Sequence, residues 1–330
     1  MNRRAFIAAV AFALFAKPLT VTAQTAAGVY RLGILHPGTW TPSDPVLLGN
    51  WIPEALRELG YIEGQNLIVE RKYAEGNFER LPALAHELVQ LRVDVILAVG
   101  SSSVKAAKEA TTTIPIVLES NVDPVAAGLV ASLARPGGNV TGVLITPEGT
   151  LAAKKLELLK EAVPRASRIT FLIPEDPAIG VQQQLQEVRK AASSLGIELH
   201  VVIVRGGDYD SAFAAIGPER PQALIVGAHY FFVRDQKKII DLAAKYRLPA
   251  IYEWPQQVQN GGLMSYGASD VETYKQVAAY IDRLFKGARP ADLPVWQPSK
   301  LHLVINLKTA KTLRIALPPS LLLRADEVIQ

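Results

Sequence analysis

The sequence predicts an α/β protein built from two doubly wound parallel-sheet lobes. Three observations carry that prediction. Short β-branched runs alternate with amphipathic stretches along the chain beyond residue 28. The runs are apolar at nearly every position, as in strands covered on both faces, rather than alternating as in strands with one wet face. And the same punctuation occurs twice in the same order.

In the first half, Tyr30–Leu35 reads as a strand ending at Pro37-Gly38, and Leu47–Leu59 as a helix stopped by Gly60, a residue suited to a helix C-terminus. Leu67–Tyr73 reads as a strand, Arg80–Leu91 as an amphipathic helix, and Val93–Val99 as a buried strand ending at Gly100. A helix restarts over Ser101–Ala110. The strand Ile114–Leu118, a helix over Pro124–Leu133 and the strand Val140–Ile145 close the first set. The second half begins with the helix Leu151–Val163 and continues through the strand Arg168–Ile173, the helix Val181–Leu195, the strands Leu199–Val204 and Ala223–Val226, a single helix Phe231–Tyr246 and the strand Pro249–Tyr252. Leu59-Gly60 answers Leu195-Gly196, Gly100 answers Gly227, and Ile114–Glu119 answers Leu248–Glu253. The spacings differ between the halves, so the repeat is one of architecture. A helix over Val271–Phe285 and a strand over Leu301–Leu307 follow, too little for a third domain.

With 330 residues, 49% of them hydrophobic and 20% charged, the chain has the material for about two cored domains and is not globally disordered. Zero cysteines exclude disulfides, Cys-zinc and iron–sulfur centres, a Cys nucleophile and a lipid-modified Cys. Five histidines leave little for a metal site, and no cofactor is expected. Asn2-Arg3-Arg4, the apolar run Ala5–Ala16 and the small residues of Val21-Thr22-Ala23 form the three parts of a secretory signal over residues 1–23, of Sec or twin-arginine type. Its apolar run of about 12 residues is too short for a bilayer of roughly 30 Å. Its loss removes three basic residues, lowering the formal charge from +4 to roughly +1, and leaves no basic patch for nucleic acid. The expectation is a periplasmic protein, not embedded in the membrane after cleavage, and a monomer.

Two α/β lobes in an exported chain suggest a cleft between the carboxyl ends of their strands that closes by hinge motion. The residues that follow carry a specific resemblance: Gly60–Asn66, Tyr73–Gly76, Arg80–Ala85, Thr111–Ile116, Asp123-Pro124-Val125, Arg135–Gly142, Ala250–Trp254, Gly261–Gly267 and Val304–Ala310. Together they cover essentially the whole chain after the signal, which closely resembles the tryptophan/tyrosine-type substrate-binding proteins of ABC transporters. The resemblance implies a type I periplasmic binding fold with three interlobe crossovers, near Ile145–Thr146, Met264 and Gln297–Ser299. The lobes then comprise 28–145 plus 265–297 and 146–264 plus 298–330. It also implies a small-molecule ligand and, as partners, an ABC permease and its ATPase. Three stretches depart from the common family pattern: His36–Trp40, Glu119–Asn121 and Pro174–Ala178.

Candidate ligand residues lie at predicted strand ends. Gly100, Ser101 and Ser102 offer N–H groups, hydroxyls and a positive helix end to an anion such as a carboxylate, or simply cap the helix. Asn121 and Asp123 follow the next strand; Asp123 suits an ammonium group or a helix cap. Glu253, at the matching point of the second half, suits a ligand amine or a salt bridge between lobes. Trp40, Tyr230, Trp254 and Tyr266 offer stacking surfaces, and His36 and His229 polar edges.

Two other readings use the same residues. A sensory module would present the same cleft to a membrane receptor. A serine hydrolase would use Val99-Gly100-Ser101-Ser102-Ser103-Val104, which lacks the second Gly of a Gly-x-Ser-x-Gly elbow and has no assigned His base. Walker A, Gly-x-Gly-x-x-Gly and His-Glu-x-x-His motifs are absent, so the expectation is a binding protein and not an enzyme.

Overall fold

The computed structural model describes residues 28–39, 48–146, 151–176 and 179–330. The signal segment and Trp40 lie outside these residues.

Two sheets form. The first has the order β2-β1-β3-β4-β5, all parallel, from β1 (Tyr30–His36), β2 (Leu67–Tyr73), β3 (Val95–Val99), β4 (Ile116–Ser120) and β5 (Val140–Leu144). The second has seven strands: β6 (Arg168–Pro174), β7 (Glu198–Val204), β8 (Ala223–Val226), β9 (Ala250–Tyr252), β10 (Met264–Gly267), β11 (His302–Asn306) and β12 (Glu327–Ile329). Its order, read from the far edge, is β7-β6-β8-β9-β10-β11-β12, with β10 and β11 antiparallel. The first five strands of that order repeat the first sheet's plan, which is the physical basis of the duplicated punctuation.

Each sheet is buried on both faces. Ile96, Ala98 and Leu118 pack against the helices Leu81–Gln90 and Gly100–Ala110 on one side. On the other, Ile34, Leu97 and Val117 meet Ile52 and Leu56 of the helix Leu48–Glu58. They also meet Val277 and Ile281 of the helix Asp270–Phe285, which comes from late in the chain. The segment before β11 is likewise tied to the first sheet: the Trp296 N–H donates to Gly142 O (2.8 Å), and the Trp296 carbonyl accepts from the Leu144 N–H (2.8 Å). The second sheet is covered by clusters around Phe171 and Ile225 on one face and around Phe213, Phe232 and Tyr252 on the other.

The chain therefore passes between the sheets three times: after β5, between β10 and the helix beginning at Asp270, and between Trp296 and β11. The second crossing lies a few residues beyond Met264, between Gly267 and Asp270. Met264–Gly267 is a strand of the second sheet, paired with Leu303 and its neighbours, so residues 265–267 stand in the second lobe. Gly267 is required there, since a Cβ would lie 2.1 Å from the Glu253 carbonyl oxygen.

Two predicted helices are corrected. Pro124–Leu133 is a series of turns: Gly128 adopts φ +68°, and the Leu129 and Val130 N–H groups both return to the Pro124 carbonyl, which ends any helical ladder. Phe231–Tyr246 is two helices, Tyr230–Arg234 and Gln236–Lys245, separated at Asp235. The Asp235 carboxylate accepts from Arg234 and from the Tyr209 hydroxyl (2.7 Å), fixing the bend. Among the described residues, no helix is long and apolar enough to cross a membrane.

Candidate functional site

A cavity of about 130 Å³ opens between the carboxyl ends of the two sheets and is lined from both. This is where ligands sit in open α/β sheets, because strand ends and the following helix N-termini expose unpaired backbone groups there.

From the first lobe come His36, at the end of β1, and Gly100, Ser101 and Ser102, where β3 becomes a helix. Gly100 takes φ +75°, a left-handed conformation that lets the helix start immediately after the strand. Ser101 and Ser102 face the cavity, while Ser103 is wholly buried with its Oγ lacking a partner. Glu119 and Asn121 come from the end of β4, Asp270 and Tyr274 from the late helix.

From the second lobe come Asp176, Gln184, His229, Tyr230, Arg234 and Trp254. His229 accepts the Phe231 N–H at Nδ1 (3.3 Å), which leaves its Nε2 to donate to Asp176 (2.9 Å). Arg234 is held by Asp235 through Nε (2.7 Å) and a second nitrogen (2.5 Å). The Tyr230 hydroxyl is buried without a hydrogen-bond partner.

The lobes touch across this cavity. The Ala228 carbonyl accepts from Gln184 Nε2 of its own lobe (3.0 Å) and from Asn121 Nδ2 of the other (3.2 Å). His36 meets Tyr230 edge-on with ring centroids 4.9 Å apart, and Phe78 meets Phe231 in the same way at 6.4 Å. Gly38 makes that approach possible: a Cβ there would stand 2.2 Å from a Tyr230 ring carbon. His36 accepts the Gly38 N–H at Nδ1 (2.8 Å), and burial, reinforced by His229 and Arg234, holds its pKa down at about 3. It is neutral, with its proton on Nε2.

Of the residues expected at the site, His36, Gly100, Ser101, Ser102, Asn121, His229, Tyr230 and Trp254 line this cavity. Three others stand elsewhere. Asp123 accepts the N–H groups of Val125 (2.8 Å) and Ala126 (3.2 Å), organising the turn after Pro124. Tyr266 lies in β10 and packs on the second lobe's core. Glu253 is bound by Lys155 of its own lobe, with Nζ 2.5 Å from Oε2, so its salt bridge does not join the lobes. Glu119, noted in the sequence only as part of the departing stretch Glu119–Asn121, and Asp270 also line the cavity, though neither was among the candidate ligand residues. Glu119 is an acid at the end of an otherwise apolar strand, a visible signal; Asp270 looks like an ordinary acid in a helix's first turn, capped by Ser269.

The profile described as ABC transporter substrate binding protein matches residues 48–329. The chain belongs to this family. It is 26% identical over 261 residues to a protein named tyrosine-binding protein from Clostridioides difficile strain R20291, covering 79% of this chain and 74% of that one. A crystal structure titled as a conserved domain protein of Vibrio cholerae superposes with a TM-score of 0.79 at 26% identity, covering 91% of this chain and 99% of that one. A Streptococcus pneumoniae ABC domain solved in complex with L-Trp gives 0.77 at 25% identity, with the same coverage. The fold is that of type I periplasmic binding proteins. The family consists of substrate-binding proteins, not enzymes, which sets the hydrolase alternative aside.

Proposed function

We propose that this protein is the periplasmic solute-binding component of an ABC importer. It captures a small organic solute, an amino acid or an aromatic or aliphatic carboxylate, between its lobes. It closes by hinge motion and delivers the solute as a monomer to a permease and its ATPase. The observation that carries the reading is the cavity built jointly by the carboxyl ends of both sheets. A solute bound there contacts both lobes at once, so its binding energy favours the apposed arrangement.

Within that reading, Gly100, Ser101 and Ser102 receive the carboxylate. Backbone N–H groups at the start of an 11-residue helix and two hydroxyls are a fitting donor set for an anion. Tyr230 and Trp254 form the wall against the side chain, and the unpartnered Tyr230 hydroxyl offers it a hydrogen bond. The names of the relatives support an amino-acid or aromatic solute.

A thermal-shift screen of the exported protein, stripped of carried-over solute, tests the proposal. The panel holds amino acids, aromatic and aliphatic acids, nucleosides and sugars. A solute at about 100 times its Kd adds roughly 2.7 kcal/mol. A shift with an amino acid or carboxylate is the expected result. Shifts confined to sugars or nucleosides would sink the solute class.

A further inference from the structure

We infer that the cleft takes a solute bearing a protonated amine, and that Glu119 and Asp270 together hold that cationic group. The inference rests on the solute-binding reading above and narrows its solute class.

Glu119 is 9% exposed and lines the cavity from the end of β4. Asp270 lines the same cavity as the first residue of the late helix. Among the described residues, neither carboxylate has a salt bridge, and neither side chain has a hydrogen bond. The other charged side chains nearby are matched: Lys155 with Glu253, Arg234 with Asp235, and His229 with Asp176. Two carboxylates thus face one cavity with no cation among the described residues left to answer them.

An unpaired carboxylate in a shielded site is costly, and a nearby opposite charge offsets the cost. An ammonium group has three N–H donors and no acceptor, which suits two carboxylates at once. A purely anionic solute would leave both unanswered and add repulsion. A metal ion is a poor occupant: among the described residues no three His, Cys, Asp or Glu side chains gather in a group fit to hold one, and two carboxylates fall short of a dedicated calcium cage. Burial, and then the neighbouring acid (Asp270 for Glu119, Glu253 for Asp270), raises each carboxyl pKa to about 7. An arriving ammonium therefore displaces protons from the pair.

The test uses the exported protein, purified from the periplasm and stripped of solute. Calorimetric titration would compare the common L-amino acids and simple arylalkyl amines, which are protonated at pH 7, with their des-amino counterparts, such as phenylalanine with 3-phenylpropanoate, and with sugars and nucleosides. At least one amine-bearing probe is expected to bind, with its des-amino partner about a hundredfold weaker. Glu119→Gln and Asp270→Asn should each weaken the amine about tenfold or more, by loss of a charged hydrogen bond. A second readout does not depend on the variants: titration of the parent at pH 7, in buffers of different ionisation enthalpy, should show proton release on amine binding. Tight binding confined to probes without an amine, equal binding of the paired probes, or no proton release would overturn the amine site and leave the solute-binding reading standing. Failure of the entire panel to bind would overturn both.

Discussion

Glu119 and Glu253 occupy equivalent points in the two lobes, yet among the described residues only Glu253 has a cation. Each lies four positions after a proline whose carbonyl accepts from the neighbouring strand: Pro115 from the Ile96 N–H (2.9 Å) and Pro249 from the Leu224 N–H (2.8 Å). Lys155 pairs with Glu253, with side chains 1% and 3% exposed, while Glu119 lines the cavity. One acid is structural, and its counterpart is left for a ligand.

The buried pair gives the first prediction. Lys155→Met leaves Glu253 as an uncompensated buried carboxylate and should cost about 3–5 kcal/mol. Replacing both residues with apolar ones should cost less. Urea unfolding of the two variants checks the order. Glu253→Gln is expected to alter stability more than ligand affinity, because Glu253 does not line the cavity.

The second concerns pH. Glu119 and Asp270 have folded-state pKa values raised to about 7. A group raised on folding contributes stability that is present below its unfolded pKa and lost as pH rises through the folded one. Of the groups facing them, the Glu253 carboxylate bears on Asp270 and is itself paired with Lys155, while Tyr274, held well above its usual range, stays neutral. His36 acts in the opposite sense, losing stability as pH falls from about 6.5 toward 3. The expected result is that the ligand-free parent loses stability relative to Glu119→Gln between about pH 5 and 8. Parallel Tm curves would contradict it.

The third concerns the contact between lobes. Gly38→Ala puts a Cβ 2.2 Å from the Tyr230 ring, and that ring belongs to the other lobe. The substitution should hold the lobes apart without disturbing either core. Ligand affinity should fall about tenfold or more, with the ligand-free Tm little changed and a larger radius of gyration in solution scattering when ligand is present. By contrast, Gly142→Ala meets the Leu118 carbonyl oxygen at 2.2 Å inside the first sheet, and should unfold that lobe.

The fourth concerns the anion end. Ser101→Ala and Ser102→Ala should each weaken a carboxylate-bearing ligand about tenfold, as expected for one hydrogen bond to a charged group. Titration of the same ligand as its amide should show little further loss in either variant.

The frame was legible because buried parallel strands are apolar throughout and end at glycines or prolines. The repeat of Gly100 and Gly227 marked equivalent strand ends in the two sheets, and that of Pro115 and Pro249 equivalent strand starts. The errors have local causes. Asp235 splits a helix through side-chain bonds to its neighbour Arg234 and to Tyr209, 26 positions away, which periodicity does not register. Glu253 looked available for a ligand because Lys155 lies 98 positions away, on a helix whose sequence reads as amphipathic. Asp270 was hidden by the ordinary abundance of acids at helix starts, and only the chain's late return to the first lobe brings it to the cavity.

The Ala228 carbonyl carries a consequence for how readily the cleft gives way. Gln184, in the same lobe, supplies it with one donor whatever the other lobe does, and Asn121 adds the second. Were the lobes to part, the oxygen would keep a partner and the Asn121 amide would meet water, so no polar group would be stranded. A latch of this kind separates with little resistance, and a modest solute affinity is then enough to tip the balance.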